Sequence, residues 1–115
     1  MLVELTIKLN EQPIGILPAS YALEQNYPNP FNPTTLIGYQ LPVGGHVKIT
    51  VYNTIGQEVR ILVDEIQEAG YHSCLWDAAN DEGILMPSSV YFYRIIVSGI
   101  DNEKFSHVKR MLLLK

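Results

Sequence analysis

Chemistry in this 115-residue chain would first be sought at three histidines, one cysteine and one cluster of acidic side chains. His46, His72 and His107 fall in three separate stretches, with no paired cysteines and no HExxH spacing. A metal or a general base needs several such groups at one point, so these histidines are read as surface or packed side chains. Cys74, the only cysteine, has no partner for an internal disulfide. In "YHSCLWD", alternation places it beside His72 and Trp76 as a small buried hydrophobe without activating charge. The run "DAANDEG" gathers Asp77, Asn80, Asp81 and Glu82 ahead of Gly83 and superficially suggests a calcium loop. It departs from the D-x-[DN]-x-[DN]-G pattern at Ala79, so turn formation is the better reading. No GxSxG, phosphate-loop or dinucleotide fingerprint occurs either. The residues therefore predict a non-enzyme with no catalytic, cofactor or metal site and no small-molecule substrate.

The elements around these residues read as strands. Period-two alternation dominates, and no window of helical length carries an i, i+3, i+4, i+7 stripe. Residues 2–9 alternate Val3, Leu5, Ile7 and Leu9 with polar side chains, which predicts a half-buried strand ended by "NEQPIGILPAS". Further strands are predicted over 35–41, 46–53, 58–63, 71–77, 90–98 and 104–114. Their inward faces hold Ile37, Tyr39 and Leu41, then Val47, Ile49 and Val51, then Tyr91, Tyr93, Ile95 and Val97. Turns are expected at "PVGG", "NTIGQ", "DEIQEAG" and "SGIDNE", with Gly56 free to take a positive φ. About seven short strands without intervening helices predict an all-β antiparallel sandwich or barrel. Tyr39, Trp76, Tyr91 and Tyr93 would fill much of its core.

Composition narrows the function classes. The chain is 47% hydrophobic and 17% charged, as globular domains are, with a net charge of -4 and no run of Lys and Arg. Without such a run, nucleic acid is not an expected partner. No apolar run approaches the ~18 residues needed to cross a bilayer as a helix. The N-terminal "MLVELTIKLN" lacks the basic, apolar and small-residue regions of a signal peptide.

The stretch "NYPNPFNPTT" fits neither helix nor sheet. Pro28, Pro30 and Pro33 fix their own φ and push Tyr27, Asn29 and Asn32 towards extended conformations. Asn26 can cap a turn through its side chain. The expectation is a stiff, extended strap pinned to the sandwich by Tyr27 and Phe31. A plain surface loop is the simpler reading, and the asparagines argue against a polyproline ligand.

"NYPNPFNPTTLIGYQLP", "VKITVYNTIGQEVRILV", "EAGYHSCLWD", "SSVYFYRI" and the terminal "KRMLLLK" occur in that order. Together they resemble the C-terminal sorting domain (type A) of type IX secretion cargo, over about Leu23 to Lys115. The middle blocks are also similar to the immunoglobulin-like domain of flagellar hook-capping proteins. The resemblance implies an immunoglobulin-like antiparallel β-sandwich of about seven strands. It also implies a secretion and surface-sorting signal covalently preceded by a cargo domain. Implied partners are the type IX outer-membrane translocon and a sortase-like peptidase. The implied route runs through the periplasm and outer membrane to the cell surface or medium, with no cofactor. Family glycines after the Trp-Asp pair and before the Val-Tyr pair are replaced by Ala78 and Ser89. Residues 1–22 lie outside the resemblance, as the end of a preceding domain, a linker or an extra edge strand. Cleavage would fall within "IGILPAS" or just upstream of Tyr27.

On this reading the strap of Asn26, Tyr27, Pro28, Asn29, Pro30, Phe31, Asn32 and Pro33 separates cargo from sorting domain. The handle read by the machinery would be Lys109, Met111, Leu112, Leu113, Leu114 and Lys115. Alternation sends Met111 and Leu113 one way and Leu112 and Leu114 the other, so one pair faces either a partner or a covering N-terminal segment. Deleting the last four residues is then expected to affect folding only modestly. The competing functions are an immunoglobulin-like adhesion or carbohydrate-binding module, with Tyr52 as its outward aromatic, and a hook-assembly domain.

Overall fold

Alternating burial marks most of the long elements. A computed structural model describes residues 17–115, so the strand predicted over 2–9 lies outside the described residues. Seven strands follow: β1 (Ala22–Leu23), β2 (Thr35–Leu41), β3 (Gly45–Tyr52), β4 (Glu58–Gln67), β5 (Gly70–Trp76), β6 (Ser89–Gly99) and β7 (Lys104–Leu113). Among the described residues there is no helix. The strands form two antiparallel sheets, β1-β2-β5 and β4-β3-β6-β7. The expected all-β sandwich is present.

The predicted inward faces all hold. Ile37, Leu41, Val47, Ile49, Val51, Tyr93, Ile95 and Val97 are buried without exposure, with Tyr39 and Tyr91 beside them. Trp76 sits at the centre, edge-on to Tyr91 at 5.3 Å between ring centroids and tilted against Phe31 at 5.7 Å. Such aromatic pairs bury large areas and add about 0.5–1.5 kcal/mol beyond that burial.

β4 is longer than its sequence predicts. "DEIQ" reads as a turn, yet Asp64–Gln67 pair with Gly45–Lys48, and only Glu68 and Ala69 remain to cross to β5. Register shifts between Ile49/Thr50 and Val51/Tyr52 leave Leu62 and Val59 without direct partners on β3. These bulges return Val59 to the core and hide the alternation from a sequence reading. Gly56 takes φ 85° in its turn, as expected. Ala78 stands at φ 69°, so the loop keeps a left-handed residue where the resembled family has glycine.

Candidate functional site

The strap is not extended. Tyr27 and Leu36 exchange both backbone hydrogen bonds at 2.9 Å, which closes residues 28–34 into a loop inside the domain, between β1 and β2. The bonds before Pro28, Pro30 and Pro33 are all cis, and the chain bends at 28–30 and again at 32–33. Asn26 does more than cap a turn. Its buried side chain donates from Nδ2 to Thr35 Oγ1 at 3.0 Å and to the Pro28 carbonyl at 3.2 Å. Its backbone N–H donates to the Tyr93 hydroxyl at 2.8 Å, and that hydroxyl donates to the Glu24 carbonyl at 2.7 Å. Tyr93 therefore fixes the strap from within the core. Burial pushes its phenol up to about 12, as it does for Tyr39, whose hydroxyl donates to Gln67.

Only one of the two expected aromatic pins holds. Phe31 is buried against Trp76, while Tyr27 is 78% exposed, because its pairing with Leu36 turns the ring outward. The strap's second attachment is the tail. The Phe31 N–H donates to the Leu112 carbonyl, and the Leu114 N–H donates to the Phe31 carbonyl, both at 3.0 Å. Asn29 Oδ1 accepts from the Leu112 N–H at 3.0 Å. Ser88 Oγ accepts from the Lys115 N–H at 2.9 Å, next to Pro87, whose carbonyl accepts from the Tyr91 hydroxyl. The outer edge of β7 at its last residues is thus occupied by this chain's own strap.

The tail divides as its alternation predicts. Met111 and Leu113 are buried at 1% and 0% exposure, Leu112 is half-buried, and Leu114 and Lys115 are exposed. Lys109 lies half-buried on the core side of β7, opposite Tyr93. Because Leu113 is core and pairs with Phe31, deleting residues 112–115 removes packing as well as any handle. The expectation of a modest folding effect is corrected accordingly. Phe31, Asn29 and Ser88 as partners of the tail were not legible in sequence; the repeated Asn-Pro pairs were the one available hint.

The other candidate groups stay apart. His46 pairs with Asp64 at 2.8 Å on the surface, His72 stacks on Tyr39, and His107 stacks by Phe105. Cys74 faces inward, and burial pushes its thiol up to about 11. In the acidic loop, Asp77 Oδ1 accepts from the Ala79 N–H, and Asn80 Oδ1 accepts from the N–H groups of Glu82 and Ile84. Arg60 bridges Asp77 and Asp81 and donates to the Ala79 carbonyl, which also accepts from the Trp76 indole N–H at 2.9 Å. These oxygens are committed to turn geometry, as expected. A surface pocket of ≈ 490 Å³ beside this loop is lined by Asn53, Glu58, Asn80, Asp81 and Met86 among others.

No protein-family model matches the chain, and no curated protein matches it. Solved structures do. Dimeric latent PorU from Porphyromonas gingivalis superposes with a TM-score of 0.67 at 16% identity, over 84% of this chain and 10% of that one. The fold is an immunoglobulin-like sandwich. FlgD from P. aeruginosa superposes with a TM-score of 0.56 at 27% identity, over 69% of this chain and 61% of that one. PorZ, an essential surface component of the type IX secretion system of Porphyromonas gingivalis, matches at a TM-score of 0.49 and 19% identity. That superposition spans 84% of this chain and 12% of that one. The chain spans about a tenth of the length of PorU and less than two-thirds of FlgD.

Proposed function

We propose that this domain is a non-catalytic C-terminal sorting signal that directs an upstream cargo across the outer membrane by the type IX secretion system. One observation carries the reading. The first and last motif blocks of the resembled family, far apart in sequence, meet in one clasp through Asn29–Leu112 and Phe31–Leu113. The clasp leaves Leu114 and Lys115 exposed and holds Leu112 half-buried beside Asn29, while Tyr27 of the strap is exposed. Since the strap occupies the outer edge of the tail, the translocon would read outward side chains of both segments rather than add a strand at Leu112–Leu114. The proposed destination is the cell surface or medium, reached through the periplasm, with removal by a sortase-like peptidase upstream of the strap.

The test is a fluorescent reporter with an N-terminal export signal, with and without this domain at its C-terminus, in a host carrying type IX machinery. Surface or medium fluorescence only with the domain is expected. A folded fusion retained in the periplasm overturns the reading. The FlgD likeness at 27% identity favours a second one, a hook-assembly domain, which requires a parent chain that self-assembles into rings.

A further inference from the structure

The outward side of β6 and β7 differs from the rest of the molecule in charge. Facing pairs there are Val90–Leu112, Phe92–Arg110 and Arg94–Val108. No carboxylate stands at any outward position of either strand, in a chain with 12 acidic and 8 basic residues. Across β6, Arg94 faces Thr50 and Phe92 faces Tyr52. Arg94 and Arg110 are exposed and make no ion pair among the described residues. Val108 is 51% exposed between them, and a pocket of ≈ 230 Å³ opens at Asn29, Val90, Arg110 and Leu112.

The spacing of these groups selects a ligand shape. Arg94 and Arg110 are diagonal neighbours across the ladder, roughly 7–8 Å apart at the backbone. Two residues along an extended chain cover about 6.6–6.8 Å and point the same way. The apolar pair Val90–Leu112 lies the next two-residue step along the strand direction, past Phe92–Arg110. Guanidinium groups beside apolar and aromatic surface bind carboxylates more strongly than fully hydrated cations do.

We propose that this face docks an extended acidic segment of a partner protein. Its alternate carboxylates pair with Arg94 and Arg110, and an apolar side chain two residues further on rests against Val90 and Leu112. The site stands whether or not the domain is a sorting signal.

The test is an NMR titration of the 15N-labelled 115-residue chain with a synthetic octapeptide. The peptide carries Asp at two alternate positions, Leu two residues later, and Ser or Thr between; a control has Lys for both Asp. Amide shifts confined to residues 90–94 and 108–112 are expected, with binding weakened about tenfold by R94Q/R110Q and by raised salt. Both arginines are exposed, so the double variant should keep the dispersed spectrum and the Tm of the parent. Absence of shifts at about millimolar peptide, shifts mapping elsewhere, equal binding by the Lys peptide or by R94Q/R110Q would each overturn the proposal.

Discussion

The acidic loop 77–83 and the strap–tail clasp both look like sites in sequence, and they differ in where their polar groups point. In the loop, Oδ1 of Asp77, of Asn80 and of Asp81 is spent on backbone N–H groups, and the two aspartates also meet Arg60. In the clasp, Asn26, Phe31, Met111 and Leu113 turn inward, while Tyr27, Leu114 and Lys115 turn to solvent. A segment whose functional groups are satisfied within its own domain has a structural role. One that divides its residues between core and solvent can be held by the first set and read through the second.

The largest effects should come from the inward half. Trp76→Ala and Phe31→Ala should each cost about 3–5 kcal/mol in chemical denaturation, through a cavity at the aromatic centre. Deletion of Leu112–Lys115 should cost at least about 2 kcal/mol, since Leu113 goes with it. A loss below about 1 kcal/mol in any of these would detach the clasp from the core. Asn26→Ala should cost about 1–3 kcal/mol, because Thr35 and the Pro28 carbonyl lose a buried partner.

Alkaline pH probes the buried hydroxyls, of which Tyr93 anchors the clasp. Tyr39 and Tyr93 ionise near 12 when folded and near the ordinary 10.0 when unfolded. Their contribution to stability is therefore complete below pH 10 and is lost as pH rises from 10 towards 12. Urea midpoints should be flat from pH 8 to about 9 and fall beyond 10. Tyr93→Phe should fall less steeply than the parent from its own lower starting point. The smallest effects belong to the outward half: Tyr27→Ser and Leu114→Ser should each change stability by less than about 0.5 kcal/mol.

Much of the sandwich was legible because alternation in β2, β3 and β6 maps directly onto burial. β4 was legible only over 58–63, because its bulges break the period and its second half is charged. Within the clasp, the split of Met111 and Leu113 from Leu112 and Leu114 was readable from parity alone. The closure of the strap was not, because it depends on long-range partners: Tyr93 for Asn26, Leu36 for Tyr27 and Leu112 for Asn29. Proline spacing constrains φ locally and says nothing about what the loop returns to. The two arginines of the β6–β7 face were hidden for the same reason, since Arg94 and Arg110 become neighbours only through the β6–β7 register.

Under the proposed function, the export machinery reads the outward half of the clasp. The measurement is export of the reporter fusion carrying Tyr27→Ser, Leu112→Ser and Leu114→Ser together, beside the intact fusion, with folding of each domain checked by its Tm. Partial burial of Leu112 predicts a Tm a few degrees below the parent, with a cooperative transition retained. The account predicts the intact fusion at the surface or in the medium and the triple variant folded but retained in the periplasm. Equal export of the two would contradict it.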